Sequence, residues 1–152
     1  IVEDGKRLAA LADNVVVKVP TMVEGLAATH ELAELGIPVN MTLCFSVPQA
    51  ILAARSGARY ISPFVGRFDD ISENGLEQLG DVIAAVGMYD YGHDVEIIAA
   101  SLRSPHHVAQ AALMGADIAT VSLNVLKQCV QHPLTDRGLA AFLEDWKKVE
   151  QA

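Results

Sequence analysis

Short apolar runs containing β-branched residues alternate along this chain with longer stretches in which apolar residues recur at helical spacing. The runs predict strands near 15–20 (Val15-Val16-Val17-Lys18-Val19-Pro20), 37–43, 58–63, 95–100 and 117–122. Helices are predicted between them near 23–35, 47–56, 73–87 and 104–114. A helix near 2–12 comes first, and pieces near 124–131 and 136–149 come last. The strands are apolar on both faces, the pattern of a parallel sheet buried under helices. Strand and helix alternate with no hairpin dipeptide between them, so the chain reads as repeated βα units.

A recurring glycine supports that reading. Gly36, Gly57 and Gly115 each follow an Ala/Leu-rich helical stretch and precede a strand within a few residues. Glycine just past a helix supplies the left-handed conformation that ends it and turns the chain back. The longest connection, 66–73, is polar and reads as a solvated loop containing Asp69 and Asp70. Two architectures remain: a doubly wound open sheet of five parallel strands, or a (β/α)8 barrel represented by five of its units.

Composition narrows the function. With 152 residues, 51% of them hydrophobic, the chain suits a single domain over 1–152 and excludes the disordered and low-complexity classes. A formal net charge of −8, without a Lys/Arg cluster, argues against a nucleic-acid partner. Cys44 and Cys129 lie far apart without CxxC spacing, so neither a disulfide framework nor a zinc site is expected. No apolar run approaches membrane-spanning length and no signal-peptide pattern opens the chain; a cytoplasmic protein without a membrane partner is expected.

The polar residues at strand ends carry the candidate chemistry. Lys18 sits in an otherwise apolar strand, where burial would disfavour the ammonium and make the amine a Schiff-base nucleophile. The competing reading is a lysine that snorkels to water along its stem. Asn40 and Thr42 share a strand face and suit a substrate hydroxyl and a water; ordinary strand-end hydrogen bonding also explains them. Ser62-Pro63-Phe64-Val65-Gly66-Arg67 follows the third strand, and Ser101-Leu102-Arg103-Ser104-Pro105 joins the fourth to a helix. There Ser104 reads as the N-cap and Pro105 as the first-turn residue, and Arg103 and Ser101 beside that N-terminus make a phosphate seat. A surface ion pair would account for either Arg67 or Arg103 alone, but two arginines on the face of Lys18 are harder to dismiss. His106 and His107 are adjacent and cannot share a metal, while His30, His93 and His132 stand alone.

Taken together, these stretches match a known family in order and spacing. Val-Val-Lys-Val-Pro, Asn-Met-Thr-Leu-Cys-Phe-Ser, Tyr-Ile-Ser-Pro-Phe-Val-Gly-Arg-Phe-Asp-Asp-Ile, Ile-Ala-Ala-Ser-Leu-Arg-Ser-Pro and His-Pro-Leu-Thr-Asp-Arg-Gly-Leu resemble the small transaldolases, relatives of fructose-6-phosphate aldolase. The resemblance runs from Ile1 to Trp146. It implies an α/β fold, a (β/α)8 barrel of which this chain holds strands four to eight. The family's strand-one Asp, strand-two Thr-Asn stretch and strand-three acid/base carboxylate have no counterpart in it.

The resemblance further implies transfer of a dihydroxyacetone unit from a ketose phosphate (sedoheptulose 7-phosphate or fructose 6-phosphate) to an aldose phosphate, in the pentose phosphate pathway. Lys18 corresponds to the Schiff-base lysine, Asn40 and Thr42 to the catalytic pair on the next strand. Arg67, Ser101 and Arg103 correspond to the phosphate-holding groups, with Ser62 and Phe64 beside the substrate. Phe64 stands where transaldolases carry Phe and the aldolases carry Tyr. No metal or organic cofactor is implied. A homo-oligomer is implied, with Phe142 and Trp146 of the helix near 136–149 available to pack on a neighbouring copy or on the chain's own barrel. The alternatives are fructose-6-phosphate aldolase and a non-catalytic open α/β domain. An acidic pair after the first strand would mark the latter, and Lys18 stands there instead.

Overall fold

A computed structural model describes residues 1–150. In chain order the elements are α1 (Val2–Ala9), β1 (Val17–Pro20), α2 (Val23–Glu34), β2 (Val39–Cys44), α3 (Val47–Arg55), β3 (Tyr60–Pro63), α4 (Val65–Asp69), α5 (Gly75–Gly87), β4 (Glu96–Leu102), α6 (Pro105–Met114), β5 (Ile118–Val121), α7 (Leu123–Val130) and α8 (Pro133–Glu150). Four helices begin on a capping side chain that accepts from a backbone N–H three residues on: Ser46 for α3, Asn74 for α5, Ser104 for α6 and Ser122 for α7. Gly36, Gly57 and Gly115 take positive φ (73°, 94° and 88°), the left-handed turns their positions predicted.

The five strands are parallel and lie in sequential order, β1-β2-β3-β4-β5. A doubly wound sheet needs a reversal of strand order, and there is none. Right-handed crossovers between sequential parallel strands place every helix on the same side. Accordingly α1 touches α2, α2 touches α3, α3 touches α5, α5 touches α6 and α6 touches α7, one continuous layer. This is the winding of a (β/α)8 barrel, seen over five consecutive units. Under the layer lies the core: Val17, Val19, Val39, Met41, Ile61, Ile97 and Ala99 from the strands, packed with Leu32, Ala50, Ala53, Leu79, Val82 and Ala111 from the helices. Each large side chain buried there contributes roughly 1.5–3 kcal/mol.

Several expectations are corrected. The strands are not buried on both faces: Lys18, Ile118 and Thr120 are exposed, and Asn40, Tyr60 and Glu96 are half-buried. One-sided winding covers one face only, and among the described residues β1 and β5 do not pair to close the sheet. The 66–73 connection is not wholly loop, since Val65–Asp69 forms the short helix α4. The last helix begins at Pro133, three residues before the 136 expected, because Pro needs no N–H partner in a first turn.

Candidate active site at the carboxyl ends of the strands

Register places Lys18 opposite Asn40, Asn40 opposite Tyr60 and Tyr60 opposite Glu96, so these side chains form one rung across the uncovered face. Lys18 is exposed, not buried as its apolar neighbours Val17 and Val19 led one to expect, and among the described residues it has no ion-pair partner. Two residues beyond Tyr60, Ser62 is 2% exposed and its hydroxyl donates to Asn40 Oδ1 at 2.7 Å. That bond fixes the Asn40 amide and leaves its nitrogen to donate to something else. Pro20 lies opposite Thr42. The N–H and hydroxyl of Thr21 both donate to the Thr42 carbonyl at 2.8 Å, pinning the backbone there. Among the described residues, the Thr42 hydroxyl is buried without a partner. An orphan of this kind costs about 1–3 kcal/mol unless a water or a ligand oxygen satisfies it.

Strand ends on this side are irregular. The β2–β3 register shifts between Met41 and Cys44, and the β4–β5 register shifts between Ala99 and Leu102. Within those shifts Leu43 and Ser101 adopt φ of 56° and 60°, a sparsely populated conformation for residues with a Cβ. Such strain re-aims side chains, and it concentrates at functional sites. Phe64, half-buried, bridges to Ala100 of β4 and sets its ring 5.7 Å from that of Phe45, which in turn meets Phe68 edge-on at 5.8 Å. An aromatic wall therefore stands at the ends of β2 and β3.

Arg67 lies on α4 and Arg103 just past β4, both exposed. Asp70 is exposed in the turn after α4, as expected of a loop residue, but it is also paired. Its carboxylate takes both ends of the Arg103 fork, Oδ1 from Nη1 and Oδ2 from Nη2, the latter at 2.6 Å. Arg103 holds the Asp70 carboxyl below the usual carboxylate range, and the Arg67 charge pushes it the same way. Asp69 accepts from the Gly75 N–H at 3.4 Å and lies 3.5 Å from His107 Nε2, while His107 Nδ1 accepts from the Arg103 backbone N–H at 3.3 Å. Asp69, Asp70 and His107 are thus members of the site that sequence reasoning missed. The four-residue spacing of Arg103 and His107 around a helix start was the available signal. Ser101, half-buried, shares with Arg103 a cleft of about 500 Å³ whose other polar lining is Thr120, Ser122 and Asn124.

A larger cavity, about 1080 Å³, opens at the opposite, amino ends of the strands. Arg59 sits there, 2.5 Å from Glu96 and 3.6 Å from Asp94, with Arg55 over the Tyr91 ring. None of the candidate catalytic or phosphate-binding residues lines it, although Gly36, Gly57, His30 and His93 do. In barrels of this winding the chemistry sits at the carboxyl ends, and of the candidate residues the smaller cleft there holds Ser101 and Arg103.

The family described as Transaldolase/Fructose-6-phosphate aldolase matches over residues 1–152. Proteins named "Probable transaldolase" from Shouchella clausii, Thermus thermophilus and Moorella thermoacetica are 54%, 55% and 53% identical over 148, 150 and 150 residues. These alignments cover 97%, 99% and 99% of this chain and 68%, 66% and 69% of those proteins, so the chain spans about two thirds of their length.

Proposed function

Because this chain belongs to the transaldolase/fructose-6-phosphate aldolase family, we propose that it supplies the Schiff-base and phosphate-binding side of a cytoplasmic transaldolase. The donor is a ketose phosphate, fructose 6-phosphate or sedoheptulose 7-phosphate, and the acceptor an aldose phosphate. The observation that carries the proposal is the rung of Lys18 and Asn40 on the uncovered face, with Thr42 and Ser62 further along their strands toward the carboxyl ends, past which Arg67 and Arg103 follow β3 and β4.

In this reading the Lys18 amine attacks the ketose C2 carbonyl, and loss of water gives an iminium. The C4 hydroxyl gives its proton to water and the iminium accepts the electron pair as the C3–C4 bond breaks, releasing an aldose phosphate and leaving an enamine on Lys18. The enamine carbon then attacks the carbonyl of the second aldose phosphate, and water releases the new ketose. Asn40, its oxygen occupied by Ser62, donates from its amide nitrogen to a sugar hydroxyl. The unpartnered Thr42 hydroxyl holds the water that takes part in proton transfer. Arg67, Arg103 and Ser101 bind the phosphate, and that binding far from the reacting carbons orients the substrate. The homo-oligomer remains part of this proposal, with α8 presenting Leu139, Phe142, Leu143 and Trp146 to solvent for packing.

The fructose-6-phosphate aldolase reading differs at one residue. Phe64 packs on Phe45 and offers no hydroxyl to a water, which favours transfer over release. Incubation of the protein with fructose 6-phosphate, with and without an acceptor aldose phosphate, tests the choice. Product formation that requires the acceptor supports transaldolase. Release of dihydroxyacetone at equal rate without acceptor would move the assignment to the aldolase.

A further inference from the structure

The geometry points to Asp70 as an internal competitor for the substrate's phosphate: it occupies the Arg103 fork when the site is empty and is exchanged for the phosphate on binding. The inference rests on the reading of Arg103 as a phosphate-binding residue.

An arginine offers an oxyanion two good approaches, the end-on fork of its two terminal nitrogens and the edge carrying Nε. At Arg103 the end-on fork is filled by both carboxylate oxygens of Asp70. The other edge is walled off. A Cβ built on Gly66 would lie 2.6 Å from Arg103 Nε and 2.9 Å from its Cδ, so the Gly66 backbone already lies against that edge. The arginine is also anchored at its root, where its backbone N–H donates to His107 Nδ1 at 3.3 Å and His107 in turn faces Asp69 at 3.5 Å. With that edge against Gly66, the end-on fork is the approach left to an arriving anion, and it opens when Asp70 leaves it. Asp70 is exposed and follows the last residue of the short helix α4.

Charge leads to the same conclusion. Arg67 and Arg103 are offset by Asp69 and Asp70, two positive charges against two negative, so a phosphate arriving with Asp70 in place meets a locus without net attraction. Withdrawal of Asp70 leaves a net positive locus for a dianion. A strong tetrahedral acceptor can displace a bidentate carboxylate, whereas a lone sugar carboxylate or hydroxyl competes poorly. Asp70 is in this sense a specificity-determining residue for phosphorylated substrates.

The test measures binding of inorganic phosphate to the protein by calorimetry at constant ionic strength, for the parent, Asp70→Asn, Asp70→Ser, Arg103→Ala and the Asp70→Asn/Arg103→Ala double variant. Removal of the competitor is expected to tighten phosphate binding roughly two- to fivefold, the scale of an exposed ion pair, and the gain is expected to vanish in the double variant. A folding defect does not tighten binding, so a gain cannot be mistaken for one. Unchanged or weaker phosphate binding in both Asp70 variants, or a gain that survives removal of Arg103, would overturn the inference. The measurement needs no turnover. A gain in phosphate affinity in a protein that forms no Lys18 adduct would uphold Asp70 and reject the enzymatic reading instead.

Discussion

In the proposed reaction Phe64 stands beside the enamine, and a phenyl ring can neither position nor polarise the water that releases dihydroxyacetone. Phe64→Tyr is expected to raise acceptor-free cleavage of fructose 6-phosphate relative to transfer, measured as the ratio of the two rates on one preparation. An unchanged ratio with both activities intact would remove Phe64 as the discriminating residue. Arg67→Ala and Arg103→Ala are expected to raise KM for phosphorylated substrates about tenfold or more while leaving unphosphorylated donors little affected; an equal loss on both would reassign them. Cys44 gives a check independent of function. Burial pushes its thiol up from 9.0 to about 11, while Cys129 is exposed. A thiol reagent at pH 8 is therefore expected to modify one cysteine quickly and the second only after unfolding, or as the pH approaches 11; rapid modification of both in the native protein would contradict the packing around Met41 and Cys44. At this scale the sequence singled out Lys18, Asn40, Thr42, Arg67 and Arg103; the structure sets Lys18 beside Asn40 on one rung and Arg67 and Arg103 past β3 and β4. The sequence could not place Asp70, because its partner Arg103 is 33 residues away and nothing local marks the pairing.

Among the elements, the Ser104 cap was legible and the bulges were not. Ser104 followed by Pro105 announces a helix start in two residues, and Ser104 does accept from the His107 N–H at 3.2 Å. Leu43 and Ser101, in contrast, carry no local signal for positive φ; their conformation follows from register shifts against neighbouring strands. The short helix α4 was likewise invisible. Its five residues are too few for a helical period, and it is held by packing on β4 and α5. Gly66 is the hinge of that packing. A Cβ there would sit 2.5 Å from the Ser101 carbonyl and 2.6 Å from Arg103 Nε, so backbone or arginine must shift. Gly66→Ala is expected to destabilise the fold by about 1–3 kcal/mol in urea denaturation and to weaken phosphate binding as Arg103 is displaced. A variant as stable as the parent would show that α4 is free to move away from β4.

For the molecule as a whole, the βα repeat was legible in the periodicity, whereas the winding came only from the family resemblance, which implied the barrel. Periodicity gave five strands and the helices between them, but it could not say whether successive crossovers fall on one side of the sheet or on both. That choice appears in the strand order, and sequential order makes the sheet one-sided. One-sided winding also explains why Lys18, in a strand as apolar as any in the chain, faces away from the helices. The chain has five lysines, at 6, 18, 127, 147 and 148. Lys6, Lys147 and Lys148 are held by Glu3, Glu144 and Asp145 within their own helices, and Lys127 lies on α7, whereas Lys18 stands on the open rung beside Asn40. Borohydride reduction in the presence of fructose 6-phosphate, followed by peptide mass analysis, therefore addresses the proposed chemistry directly. The expected result is a single reduced adduct on the peptide containing Lys18, lost in Lys18→Ala. An adduct on Lys127 or another lysine, or none while fructose 6-phosphate is being cleaved, would contradict it.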